Sequence, residues 1–248
     1  MSCIVIDVGN TSTSLGCYDA GGVSCITAIR GGIADPRRVD AALRKAGAHQ
    51  AERAVLASVV PATTSRWRWL LRRLYGLDVL VLSHHTPMPV GVRYPKPASI
   101  GADRLANACG AAMRYGAPAI VADFGTALTF DVLSADRYYV GGVIAPGLPL
   151  MTDYLHEKTA LLPRVALGGE IEPVGTSTVN AMRIGALMGH RGMVREVVAH
   201  LRKTTGNEVR LCATGGYAHW ALDGLDLPFH IDPDLTLFGL GTVHDVNR

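Results

Sequence analysis

Apolar and polar positions fall into blocks along the chain, and the blocks sort by period. CIVID (3–7) is an apolar run that ends on an acid and reads as a buried strand. SLGCY and CITAI read as its antiparallel followers, joined by a turn around Asp19, Gly21 and Gly22. A helical period covers Pro36 to Ala46, with Val39, Ala42 and Leu43 on its apolar side and Gly47 as the stop. RAVLASVV is another strand. A helix capped by Thr63 or Thr64 follows, with Trp67, Leu70, Leu71 and Leu74 as its stripe and Arg66, Arg68, Arg72 and Arg73 on its solvated face. After the strand VLVL (79–82), HHTPMPVGVRYPKPASIG breaks all periodicity with four prolines. A connection this long in a compact chain is often functional. It leads to a small-residue helix, ADRLANACGAAMRYG, with Leu105, Ala108, Cys109 and Ala112 on the buried side.

The next block echoes the start. CIVID-V-G and AIVAD-F-G are both strands that end in Asp, one residue, then Gly, and they stand 116 residues apart. Thr11 and Thr126 fall in the two turns, one step out of register. The repeat predicts two similar halves, 1–116 and 117–248, each opening with a strand–acidic turn–strand unit. Downstream, YYVGGVIAPGLPL reads as a strand with a glycine-rich turn. Residues 152–162 read as helix and 163–176 as loop, and 177–204 as helix interrupted near Gly189 to Gly192. VRLCATGG is a strand ending in glycines, and the tail holds a short strand or helix.

Composition narrows the class. With 48% apolar and 18% charged residues, the chain reads as globular rather than disordered. Its net charge of +3 comes from scattered Lys and Arg, so no nucleic-acid partner is expected. The five cysteines have neither metal-ligand nor redox spacing and read as buried free thiols in a reducing compartment. Neither a signal peptide nor a membrane-length apolar run occurs, so the expected compartment is the cytoplasm.

The acidic turns carry the first chemistry. An Asp at the end of a strand gives a rigidly held carboxylate suited to Mg²⁺ or its waters, which in turn bridge phosphates. The following Gly lets backbone approach a ligand, and turn N–H groups form an anion-binding concavity. Two such turns facing one another would clamp a triphosphate. Neither G-x-x-x-x-G-K-[ST] nor, after the first strand, G-x-G-x-x-G occurs, which excludes a P-loop and argues against a Rossmann site. His156-Glu157 lacks the second histidine of a zinc motif, and His84-His85 has no accompanying ligands. Two readings stand for Asp103: a first-turn acid that favours the helix N-terminus, or a general base. ATGG (213–216) fits a nucleotide cover or an ordinary strand-to-helix turn.

Taken together, DVGNTST (7–13), YPKPASIGADRLANA (94–108), VADFGTALTFD (121–131), GGVIAPGL (141–148), TALLP (159–163), GTSTVNAMRIG (175–185) and ATGGYA (213–218) resemble the type III pantothenate kinases, in that family's order. The resemblance implies an α/β, duplicated ribonuclease-H-like (actin-like ATPase) fold with two mixed-sheet halves. It implies transfer of phosphate from ATP to pantothenate, the first step of coenzyme A synthesis, with Mg²⁺ and a monovalent cation, K⁺ or NH₄⁺. It also implies a homodimer with active sites at or near the interface. By the same resemblance Asp7 organises Mg²⁺ and phosphate beside Gly9, Asn10 and Thr11. Asp103 is the base, Arg104 a substrate or phosphate contact, and Tyr94 and Gly101 part of the pantothenate pocket. Asp123, with Gly125 and Thr126, serves nucleotide and monovalent cation, and Thr178 contacts pantothenate, from the partner subunit in the expected dimer. Lys96 stands where many members have Asn, as a favourable charge for the substrate carboxylate.

Overall fold

The structure, a computed structural model, describes residues 2–30, 33 and 35–248. The chain begins with β1 (Cys3–Val8), β2 (Ser12–Asp19) and β3 (Gly22–Arg30), then α1 (Pro36–Lys45), β4 (Arg53–Ser58), α2 (Pro61–Tyr75) and β5 (Asp78–Val81). A short strand β6 (Gly91–Val92) lies in the proline-rich connection, which delivers the chain to α3 (Ala102–Arg114). The second series is β7 (Ala119–Phe124), β8 (Ala127–Leu133), β9 (Tyr138–Pro146), α4 (Leu148–Lys158), α5 (Thr178–Thr205), β10 (Arg210–Thr214), α6 (Ala218–Leu222), β11 (Phe229–Ile231) and α7 (Leu235–Val246).

Two mixed sheets result. The first has the order β3-β2-β1-β4-β5 and the second β11-β10-β7-β8-β9-β6. The strand order of the first, 3-2-1-4-5, recurs in the second as β9-β8-β7-β10-β11, with β6 added at one edge. β1 pairs antiparallel with β2 and parallel with β4, and β7 pairs parallel with β10. β1 and β7 are central in their sheets and read as continuous apolar runs for that reason: Cys3 to Ile6 and Ala119 to Ala122 are all fully buried.

The duplication reaches the hydrogen bonds of the turns. Gly9 N–H donates to the Ser12 carbonyl at 3.0 Å, and Gly125 N–H to that of Ala127 at 3.1 Å. The first turn is one residue longer, which accounts for the offset between Thr11 and Thr126. The carbonyl ending each strand takes an N–H from beyond the neighbouring parallel strand: Val8 from Val59 at 3.1 Å, Phe124 from Tyr217 at 3.2 Å.

Contacts among the described residues divide the chain differently from the expected halves 1–116 and 117–248. One unit comprises Met1–Ala117, Leu133–Gly141 and Asp234–Arg248, and the other Pro118–Val132 and Gly142–Pro233. The physical reason is α7, which packs on α3 and on β1 and β2 of the first unit. The contact is close because glycines stand at its tightest points. A β-carbon on Gly110 would lie 2.5 Å from the Leu235 carbonyl oxygen, one on Gly239 would strike the Ala106 carbonyl, and one on Gly241 the Tyr18 ring. Arg114 then closes the joint with paired bonds of 3.1 and 2.9 Å to the two carboxylate oxygens of Asp234. Its guanidinium also lies 3.9 Å above the Phe238 ring.

Other expectations shift locally. α2 begins at Pro61 rather than at Thr63 or Thr64, whose hydroxyls bond back to the Val60 carbonyl. Trp67, Leu70 and Leu71 of its stripe are buried but Leu74 is exposed, as is Trp69. A hollow of about 510 Å³ lined by Ser65, Arg68, Trp69, Arg72 and Arg73 lies on this helix, well removed in sequence from the acidic turns. α4 starts four residues before the expected helix at 152, at a proline in its first turn. α5 runs unbroken through Gly189 and Gly192, the interior glycines costing only about 1 kcal/mol each against Ala. The tail holds both a strand and a helix. All five cysteines are free. Cys3, Cys109 and Cys212 are buried as expected, but Cys17 is half-buried and Cys25 exposed, and desolvation pushes the Cys3 and Cys212 thiols up to about 12. Gly239→Ala should lower stability by about 1–3 kcal/mol through overpacking of α7 on α3, read as a drop of several degrees in thermal melting.

Candidate active site

In the first unit, Asp7 lies near the end of β1, opposite Ala57 of β4, and is half-buried. Gly9 follows it, and Asn10 and Thr11 are exposed at the tip of the turn. Val59 connects this strand end to the start of α3. Its N–H bonds the Val8 carbonyl, and its side chain lies 3.4 Å from where a β-carbon on Gly101 would sit.

Gly101 precedes the first residue of α3, and a β-carbon there would displace the Asp103 carboxylate from its present position. The carboxylate folds back over that space and accepts the Arg104 N–H at 2.8 Å. Burial is the main influence on Asp103 and raises its pKa above the ordinary 3.8, while the Arg104 N–H and guanidinium pull it back down. Burial that raises a carboxyl is a feature this group has in common with general bases.

A cluster of aromatic rings adjoins it. Tyr94 packs edge-on to Tyr139 with centroids 6.2 Å apart, and Arg104 lies over the Tyr139 ring at 5.8 Å. Gly141, at φ +130°, opens room for the Tyr94 ring, 3.4 Å from its would-be β-carbon. Tyr139 is fully buried, whereas Tyr94 is partly exposed and Lys96 exposed. Tyr94 and Arg104 thus meet at one ring that sequence reasoning missed, and Gly101 and Asp103 adjoin it through Arg104. The ring's signal was a tyrosine at the start of a strand, indistinguishable there from exposed Tyr138.

In the second unit, Asp123 is half-buried near the end of β7 and opposite Thr214 of β10. Gly125 follows it, and Thr126 is exposed. Two further glycines press on this turn. A β-carbon on Gly215 would lie 2.6 Å from Asp123 Oδ1, and one on Gly147 would run into the carbonyls of Gly125 and Thr126. ATGG and GGVIAPGL therefore supply backbone to the second acidic turn, and Gly215 needs its φ of +93° besides. Beneath it lies His190 of α5, 1% exposed, its ring centroid 5.7 Å from that of Phe124. Burial pushes this imidazole down to about 4, so it is neutral near pH 7. Thr178 is exposed at the first position of α5, after the Ser177 cap. Among the described residues, no group of three or more His, Cys, Asp or Glu is disposed to hold a metal, and no helix is long and apolar enough to cross a membrane.

The fold is shared with solved kinases. A ROK family glucokinase from Streptomyces griseus, solved with glucose and AMPPNP, matches at TM-score 0.54 and 14% identity over 97% of this chain and 98% of its own. The family model for type III pantothenate kinase matches residues 3–200. A type III pantothenate kinase from Caulobacter vibrioides is 36% identical over 100% of this chain and 98% of its own length. One from Akkermansia muciniphila is 46% identical over 78% of each. The chain belongs to the type III pantothenate kinase family.

The Asp103 environment has a consequence for stability. A carboxyl raised by burial destabilises the fold once ionised. That penalty is absent at pH below the unfolded value and grows as pH rises through the folded one. Asp103→Asn should therefore melt higher than the parent near pH 7, with the gain shrinking toward about pH 4. Thermal melts across that range check it.

Proposed function

We propose that the chain phosphorylates pantothenate with ATP, giving 4′-phosphopantothenate and ADP. The observation that carries the reading is Asp103, half-buried at the start of α3 with its pKa raised, beside the Tyr94–Tyr139–Arg104 cluster, in a chain of this family. Asp103 takes the proton of the primary hydroxyl as that oxygen attacks the γ-phosphorus. The bond from phosphorus to the β,γ-bridging oxygen breaks, and ADP leaves. Arg104 binds substrate or phosphate, and Tyr94 and Gly101 shape the pantothenate pocket. Lys96 attracts the pantothenate carboxylate.

Asp7, Gly9, Asn10 and Thr11 attend the metal-bound phosphates, and Asp123, Gly125 and Thr126 the nucleotide. A single carboxylate on each strand end, with no larger acidic cluster among the described residues, suits Mg²⁺, which keeps several waters and takes phosphates as ligands. When bound, Mg²⁺ neutralises phosphate charge. The absence of lysine from both acidic turns leaves room for K⁺ or NH₄⁺ near Asp123 as the further positive charge. A binding-only regulator on this fold would need no carboxylate like Asp103.

The proposal includes a homodimer, with Thr178 meeting the pantothenate of the partner subunit. Its support is the apolar surface of the second unit, where Ile144, Tyr154, Leu161 and Val174 are 60–91% exposed.

A coupled ADP-release assay tests the reaction. Turnover should require pantothenate rather than sugars or acetate and should fall when K⁺ is withdrawn. Asp103→Asn should lower kcat by about 10²–10⁴-fold, and an unchanged kcat would remove Asp103 as base. Light scattering on the eluting protein should give twice the 26.3 kDa chain mass. A fully active monomer would refute an interface-built site.

A further inference from the structure

α6 has only five residues, too few to be stable alone, and its last carbonyls have no partners within the helix. Arg191 of α5 supplies them. Its Nε donates to the Ala221 carbonyl at 3.1 Å, and its terminal nitrogen to the carbonyls of Trp220, at 3.4 Å, and Asp223. One guanidinium thus caps the helix end from outside, where positive charge also meets the negative end of the helix dipole. The Trp220 indole N–H donates to the Gly169 carbonyl at 3.1 Å, tying the long loop before α5 to the same helix.

The other end of α6 leads to the second acidic turn. Ala221 N–H bonds the Tyr217 carbonyl, Ala218 N–H that of Gly215, and Tyr217 N–H that of Phe124. Gly215 in turn abuts Asp123 Oδ1 and the Phe124 backbone. His190, the residue before Arg191, packs its ring on Phe124. Two consecutive residues of one helix therefore hold the acidic turn, one directly and one through α6.

We infer that Arg191 is a positioning residue for nucleotide binding, setting the β10–α6 turn against Asp123. This rests on the proposed use of that turn for ATP. Arginine suits the task because a planar fork reaches several carbonyls at once, whereas a lysine reaches them as a point charge.

The test is titration calorimetry with AMPPNP on the full chain, for the parent, Arg191→Ala and Arg191→Lys, beside the KM values for ATP and pantothenate and thermal melts. Arg191→Ala should weaken AMPPNP binding and raise the ATP KM by about tenfold, with the pantothenate KM within about twofold. Arg191→Lys should fall between the two, and it carries the comparison if the alanine variant does not fold. Unchanged AMPPNP affinity in a variant with a lowered melting temperature would reduce Arg191 to a structural clamp and overturn the inference. So would an equal rise in both KM values, or a parent chain that binds no AMPPNP. A parent that binds AMPPNP through Arg191 but transfers nothing to pantothenate would refute the substrate reading and leave this inference standing.

Discussion

The glycine-mediated close contact between α3 and α7 governs the first unit. α3 must carry Asp103 at one end with the carboxylate partly out of water, and a helix that rocked would lose that geometry. Gly110, Gly239 and Gly241 let α7 settle directly on its neighbours, and the Arg114–Asp234 pair fixes the far end of α3. Held at that end, α3 presents its first turn to the strand ends beyond Val59. Bulk at any of the three glycines would be felt there as well as in the core.

Both acidic turns follow one plan and differ in what supports them. The first is met by Val59 and the start of α3, which brings a carboxyl with a raised pKa. The second is met by glycine backbone from two directions and by α6. One copy of the repeat is backed by a half-buried carboxyl, while the other is backed by glycine surfaces with no side chain. Duplication followed by different local packing accounts for both without a change of strand order.

Much of this was legible in the sequence because central strands declare themselves. Ile4 to Ile6 and Ile120 to Ala122 are apolar without a break, and the acid that follows each run has no reason to be there as packing. The return of α7 was not legible. LTLFGLGTVHDV is apolar on nearly every side, so periodicity gives no face, and its glycines look like helix breakers until Ala106 and Tyr18 are found against them. Tyr139 escaped because burial, not composition, separates it from Tyr138. The glycines of α5 misled for the opposite reason: helix packing outweighed a small intrinsic cost. Of the candidate site, the residues of the loop and of α3 were recoverable from motif order. The supports at 139, 190 and 191 were not, since they act across space on segments distant in the chain.

The discontinuous first unit bears on biosynthesis. Every residue of the second unit precedes α7 in the chain, so a ribosome will have delivered that whole unit while the first still lacks the helix that backs α3. During that interval the groove along α3 stands open to water, and the β1–β2 face that α7 will cover is exposed with it. The nascent first unit is thus a sheet awaiting its last layer, and it closes only when a segment made long after its strands comes back to them.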